Sequence, residues 1–308
     1  MLLLIKYFFL SLLCFVTLSC GKKSGTFFAG ALGLGADRVI ITSQLATVLT
    51  VSMYDMEGNF LATLADYQTE NNGPRGLAVY DATNVLVSLD GDDRVDKVSL
   101  GGGYSAFIQS SLLTGTIGKI IKNPNTGDYF LIESNTMIER FSGDGQRLPA
   151  AGLSFVSGAF APCAAPGSLR ALVVNNSGDL IATQLSSAVS FRYTIGLARA
   201  SACTAIAVLP TTTSDIINHS DGNLYWIGNN NQVYRATQDL TGSTSISNNV
   251  SIIAAPTAMA ELPNGDLLIA SNTTDSLEVI GTDGTYRGSF HKGVHTQQVH
   301  SIVVVRGQ

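Results

Sequence analysis

A short unit recurs six times in this 308-residue chain: an Asp or Asn at the end of a turn, then four mostly apolar residues. It reads Asp37 before Arg38–Ile41, Asn84 before Val85–Ser88, and Asp128 before Tyr129–Ile132. It returns as Asp179 before Leu180–Thr183, Asn223 before Leu224–Ile227, and Asp266 before Leu267–Ala270. The spacings are 47, 44, 51, 44 and 43 residues. Short apolar runs bounded by turn residues have the length of strands.

A period in the forties built from strands and turns is how a β-propeller blade looks in sequence. Each unit fits a four-strand template. Inner strands are predicted at Leu77–Tyr80, Lys119–Lys122, Leu172–Asn175, Ile216–His219 and Met259–Leu262, each followed by a turn and the Asp/Asn unit. Third strands follow at Arg94–Val98, Met137–Phe141 and Leu277–Ile280, where alternating polar residues suggest burial on one face only. The Asp37 unit has no inner strand before it, and Ser301–Val305 has no partner after it. Joining these ends completes a sixth blade, with Ser301–Val305 innermost, then Val39–Ser43, Val48–Tyr54 and Phe60–Leu64. A ring closed this way leaves no unpaired strand edge along its circuit. The expected fold is therefore an all-β, six-bladed β-propeller over residues 37–308, closed by the C-terminal strand.

The first residues read as an address. Met1–Ser19 holds one charge, Lys6, then the apolar run Tyr7–Leu18. This is a secretory leader, too short after Lys6 to span a bilayer comfortably, and Lys22 and Lys23 would flank a span on the wrong side. The junction Thr17-Leu18-Ser19-Cys20 resembles a bacterial lipoprotein lipobox, although Thr17 stands where that family usually has Leu. The resemblance implies lipidation of Cys20 as the new N-terminus, and Gly21 after it resembles lipoproteins sorted to the outer membrane. Residues 20–36 are then a lipid-anchored linker with a reach on the order of 50 Å, tethering the face where the termini meet. Loss of Lys6 with the leader leaves 17 basic against 23 acidic residues, net −6. With 13% of residues charged and no basic cluster beyond Lys22-Lys23, a nucleic-acid partner is not expected. Cys163 and Cys203 bracket one blade, and in an exported protein they are expected to form a disulfide, with two free thiols as the other outcome.

Gly73–Val79, then Val85–Asp90, then Asp93–Val98 resembles an NHL repeat, and Pro256–Ser271 is a looser match. Other blades keep the outline without the motif: the third opens on Ile117-Gly118 and the fifth on Ser214-Asp215. The resemblance implies a binding platform. Some related six-bladed folds are enzymes, so the fold does not choose between these readings.

Four groups of residues could carry chemistry. His291, His295 and His300 fall within ten residues and are a candidate metal site, lacking a carboxylate or Cys as fourth ligand. Asp90-Gly91-Asp92-Asp93 would suit Ca²⁺ by its charge, but lacks a full loop of ligands and reads more simply as a solvated turn. Alignment on the Asp/Asn unit brings Arg75, Arg170, Ser214, Thr257 and His300 to matching positions where inner strands begin, with Lys119 nearby. Around the upper mouth of a channel they would favour an anionic or hydroxyl-rich ligand, unless the arginines merely pair with carboxylates and carbonyls between blades. Lactonase-type propellers hold a divalent metal in the channel with Glu, Asn and Asp; here that set would be Glu133, Asn175, Asn218 and Glu261. No nucleophile elbow, zinc-protease helix or phosphate-binding loop is present. The expected role is a lipid-anchored envelope protein binding an envelope protein or surface glycan without catalysis or cofactor. The alternative is a metal-dependent lactonase or esterase with its site in the channel.

Overall fold

The computed structural model describes residues 35–45, 47–70, 72–148, 154–157, 168–185, 187–196, 200–246 and 252–307. Along the chain run β1 (Arg38–Leu45), β2 (Val48–Tyr54) and β3 (Phe60–Asp66), then β4 (Pro74–Asp81), β5 (Asn84–Leu89), β6 (Arg94–Ser99) and β7 (Tyr104–Ile108). Next come β8 (Ile117–Lys122), β9 (Tyr129–Glu133) and β10 (Met137–Phe141), followed by β11 (Leu169–Val174), β12 (Leu180–Gln184), β13 (Val189–Ile195) and β14 (Ala200–Val208). The series ends with β15 (Thr213–Asn218), β16 (Leu224–Gly228), β17 (Val233–Ala236), β18 (Thr244–Ser245), β19 (Pro256–Glu261), β20 (Leu267–Ser271), β21 (Ser276–Ile280), β22 (Tyr286–Lys292) and β23 (Val299–Val305).

These strands form six antiparallel sheets arranged as the blades of a propeller. Blade one has the order β23-β1-β2-β3, so the last strand of the chain is the innermost strand of the first blade. Arg38 to Thr42 pair with Val305 to Ser301 in unbroken register, which closes the ring. Gly307 N–H donates to Asp37 Oδ1 at 2.8 Å and Arg306 meets Asp37 Oδ2 at 3.4 Å, fixing the two ends of the domain on the lower face. Blades two, four, five and six also have four strands, and blade three has three among the described residues, extended by a bridge between Ile138 and Val156.

The recurring Asp/Asn unit has a local cause. In blade four, Gly178 N–H donates to Asn175 O and Asn175 N–H to Asp179 O, with Gly178 at φ +83°. This is a type I turn ending in a left-handed glycine, a hairpin connection whose twist matches the strands it joins. The strand after the turn is the second of its blade. It is buried along its whole length in β9, β12, β16 and β20, because neighbouring blades cover both of its faces. The core accordingly divides into six apolar clusters, one at each interface between consecutive blades.

The third strands are more buried than their alternation suggests. Asp96, Glu139, Arg140 and Glu278 are all under 9% exposed. Each has a partner: Asp96 pairs with Arg94, Glu139 with Arg147, Arg140 with Asp128, and Glu278 accepts from Ser276 and Tyr286. A blade packed on both sides has no solvent face at its third strand, so polar residues there serve inter-strand bonds instead.

Candidate functional site

Every inner strand breaks register near its start, and β4 does so a second time between Val79 and Asp81. Pro74 pairs with Leu89 and Leu77 with Val87, leaving two residues opposite one. The same extra residue occurs in β8 between Ile117 and Ile120, in β11 between Leu169 and Ala171, and in β15 between Thr213 and Asp215. It recurs in β19 between Pro256 and Met259 and in blade one opposite Thr42 and Ser43. The residues inside these bulges are Arg75-Gly76, Gly118-Lys119, Arg170, Ser214, Thr257-Ala258 and His300. A β-bulge frees one residue from the ladder and re-aims its side chain. Repeated sixfold, it lines the upper mouth of the channel with one chosen side chain per blade.

The structure brings Arg75, Lys119, Arg170, Ser214, Thr257 and His300 together around one cavity of about 40 Å³, with Asp215 among them. Lys119 is not merely near the ring. It stands nine residues before Asp128, the interval that separates Arg75, Arg170, Ser214 and Thr257 from their own Asp or Asn. The charges are unevenly spread: three consecutive blades supply Arg75, Lys119 and Arg170, and the other three supply Ser214, Thr257 and His300.

Most of these groups are tied down. Arg75 Nη2 meets Asp90 Oδ2 at 2.6 Å. Lys119 Nζ donates to both oxygens of Asp215, at 2.8 and 2.9 Å, linking blade three to blade five. Asp215 also accepts the Met259 N–H at 2.9 Å and the Ile216 N–H at 3.0 Å, so its carboxylate spans three blades. Ser214 donates to Asn229 at 2.7 Å, and Thr257 to Asn272 at 3.3 Å and to the Val299 carbonyl. Arg170 and His300 make no hydrogen bond or ion pair with the described residues. Burial draws Arg170 below the usual guanidinium range; the like charge of Arg75 adds to this and Asp215 opposes it. Burial, with Arg170 and Arg75 close by, pushes His300 down to about 4, so its imidazole is neutral at pH 7.

Below this ring the channel is apolar. Ala78, Ile121, Val173, Ile217, Ala260 and Val303, one per blade, line a well of about 520 Å³ that opens on the lower face. Asn218, Glu261, Lys122 and Arg306 edge its mouth.

The three clustered histidines do not assemble. His291 Nδ1–H donates to the Gly58 carbonyl at 2.9 Å, with its ring 4.8 Å from that of Tyr54. His295 stacks on Phe60 at 4.1 Å and 5°. Only His300 faces the channel. Among the described residues no group of three or more His, Cys, Asp or Glu is placed to hold a metal ion. The loop follows the seam between blades one and six, and seam contacts orient each ring separately. The remaining histidine, His219, is buried in a lower turn, donating from Nε2 to Gly265 O and accepting Asp221 N–H at Nδ1.

Asp92 accepts from Asn72 and pairs with Arg94, whose guanidinium also meets Asp96 and Glu70. An arginine thus occupies the centre of these carboxylates. The lactonase-type set also stays apart. Glu133 lies buried in blade three, accepting from Thr114. Asn175 caps its own turn and holds Gln238, and Asn218 bonds Val174 and Asn176. Glu261 binds Ser220 through its hydroxyl and N–H. These four do not fit a shared metal. Cys203 lies buried on β14, while Cys163 and Cys20 fall outside the described residues, as do the leader and most of the linker.

Sequence reading missed the role of Asp215. The signal was present in the fifth blade, where Ser214-Asp215 departs from the pattern by placing a carboxylate directly after the bulge.

The molecule is a six-bladed β-propeller with a polar, mainly cationic mouth above an apolar channel. No protein-family model matches the chain, and no curated protein matches it in sequence. Its fold is shared with solved structures. The nidogen/laminin complex contains a chain that superposes with a TM-score of 0.70 at 14% identity, covering 89% of this chain and 100% of that one. A streptogramin B lyase gives 0.55 at 16% identity over 74% of this chain and 72% of its own. A protein of unknown function from Bacteroides caccae gives 0.61 at 11%, over 88% and 99%.

Proposed function

We propose that this protein is a lipid-anchored envelope lipoprotein whose NHL-like propeller is a non-catalytic platform for a partner protein, engaged at the upper mouth of the channel. The observation that carries the reading is the sixfold bulge ring, which presents six polar side chains of five kinds at one spot on an otherwise regular scaffold. A rigid ring with varied tips suits recognition. Ser214 and His300 share the cavity, but the Ser214 hydroxyl donates to Asn229 and not to the imidazole, and the lactonase alternative lacks convergent ligands among the described residues. Protein is favoured over surface glycan because a cavity of about 40 Å³ admits a side-chain tip and not a sugar ring.

Lipidation of Cys20 is part of this proposal. The domain's ends meet on the lower face at Asp37 and Arg306, so an anchor at Cys20 would turn the upper mouth away from the bilayer. Two or three acyl chains would hold it stably. A Cys163–Cys203 disulfide would fasten the segment before blade four to the outer strand β14 of that blade.

Site-specific photo-crosslinking in the native envelope tests the platform. A crosslinker at Asn229, exposed beside the ring, should give a discrete protein adduct, and one at Asn125, exposed on a lower turn, should not. A carbohydrate adduct at Asn229 would favour the glycan partner. Adducts confined to Asn125 would sink the assignment of the upper face.

A further inference from the structure

We infer that the cavity at the channel mouth is a binding site for a single carboxylate group, received by Arg170 with Arg75 beside it. The inference rests on the same mouth as the platform reading and names the chemistry that mouth takes.

Charge accounting comes first. Three permanent cations line the cavity, and the structure supplies two carboxylates, Asp90 on Arg75 and Asp215 on Lys119. Arg170 is left without an acceptor among the described residues. Its guanidinium, half-buried with solvent as its only acceptor, offers five N–H donors toward the cavity. Arg75 adds to this, since its Nε is buried with no acceptor. One uncompensated positive charge calls for one negative charge, which a carboxylate supplies and a phosphate dianion exceeds.

Geometry sets the size. The cavity of about 40 Å³ holds roughly three water-sized centres, by the ~10–15 Å³ each requires. That is the space of a carboxylate and its first carbon. The planar fork of an arginine matches two carboxylate oxygens, which distinguishes this anion from a spherical halide. On the far side Ser214, Thr257 and neutral His300 add no competing charge, and Asp215 is withdrawn onto Lys119 and two backbone N–H groups. A carboxylate of this kind comes either from a free small acid or from an Asp, Glu or C-terminus of the partner protein.

His300 is the built-in reporter. Its imidazole is held neutral by burial and by Arg170 and Arg75, so an anion on those arginines must raise its pKa. The experiment is an NMR titration of His300 in the full chain in detergent, with chloride and acetate compared at equal ionic strength. Acetate should move the His300 midpoint upward from about 4. Arg170→Gln should raise the midpoint by itself and abolish the response to acetate, and Arg170→Lys should retain part of it. Arg170 has no hydrogen-bond acceptor to lose among the described residues, so both variants should melt at or near the wild-type temperature.

A capped aspartyl peptide resolves the source. Response at tenfold lower concentration than acetate assigns the site to a partner's side chain, and equal response assigns it to a free acid. Identical titrations in acetate and chloride overturn the inference, as does an acetate response unchanged in Arg170→Gln. A silent His300 with Asn229 adducts intact would remove the carboxylate site and leave the platform standing. A responsive His300 without adducts would do the reverse.

Discussion

Asp215→Asn is the perturbation that weighs the channel mouth most directly. The Asp215 side chain is 2% exposed and that of Lys119 12%, and their atoms approach to 2.8 Å. At that distance and an effective dielectric of about 20, the Coulomb attraction is about 6 kcal/mol. Desolvating the two ions offsets most of this, so the pair contributes little net stability. Removing one member is a different matter. The amide leaves Lys119 without a counter-charge beside Arg170, and keeps one oxygen where two served Lys119, Ile216 N–H and Met259 N–H. Breaking a buried pair from one side costs about 3–5 kcal/mol, and the remaining oxygen favours the lower end, about 3 kcal/mol.

For a domain of this size each kcal/mol moves Tm by roughly 2–4 °C, so a drop of about 6–12 °C is expected. Urea unfolding of the full chain in detergent should give a lower midpoint with unchanged slope. Combining Asp215→Asn with Lys119→Met removes the stranded cation, and should recover at least half the loss, a coupling of about 2 kcal/mol. A single variant within about 1 kcal/mol of wild type would refute the reasoning. So would a double variant equal to the sum of the two singles.

Other outcomes follow from neighbouring residues. Arg170→Met, without added carboxylate, should raise stability by about 1 kcal/mol in thermal melts, because a half-buried cation that pays desolvation and faces Arg75 is replaced by an apolar chain of similar length; a loss of that size would mean the guanidinium is satisfied. His300 is depressed from 6.5 to about 4, so the unfolded chain binds more protons between those values. Its contribution is complete above pH 6.5 and is lost as pH falls through 6.5 toward 4, up to about 3 kcal/mol. His300→Gln should therefore narrow the gap to wild type over that window, and parallel pH curves would contradict this. Gly58→Ala should destabilise by about 2–4 kcal/mol in urea titrations, since Gly58 has φ +82° and a Cβ there would lie 1.8 Å from the Phe290 carbonyl. Truncation after Gln298 removes β23, the inner strand of blade one, and should leave no cooperative unfolding transition by calorimetry.

How far the fold shows in the sequence depends on which constraint each residue obeys. The Asp/Asn unit is legible because a glycine or polar turn followed by a fully buried strand leaves little freedom in composition. Ring closure is legible for a similar reason: Ser301–Val305 is too apolar to stand alone, and Val39–Ile41 lacks an inner neighbour. The third strands are less legible, since Glu139 or Asp96 reads as solvent-facing until Arg147 or Arg94 is seen opposite it. The site shows the same division. Arg75, Arg170, Ser214, Thr257 and His300 share a position along the chain, so alignment alone places them. The three histidines are close in sequence, yet proximity along a loop says nothing of where each ring turns, and Tyr54 and Phe60 take two of them. The Lys119–Asp215 pair joins residues 96 apart, a contact no local pattern reveals.

The distribution of side chains around the ring carries a further consequence. A propeller repeats its backbone, so the bulge offers six equivalent positions, and specificity can reside only in what occupies them. Here Arg75, Lys119 and Arg170 fill three consecutive blades, and Ser214, Thr257 and neutral His300 fill the other three. Asp215 crosses from the neutral half to Lys119 and Asp90 pairs with Arg75, which leaves Arg170 as the one cation of the ring without a carboxylate partner among the described residues. A symmetric anion would be served equally well by an even ring of cations. A ring divided this way instead fixes orientation: a ligand's carboxylate is drawn to the Arg170 side, while its amide or hydroxyl groups find donors and acceptors opposite. An organic acid, whether free or a side chain of the proposed partner, can have that polarity and a bare inorganic ion cannot, so the division of the ring selects for the group that carries the carboxylate as well as for its charge.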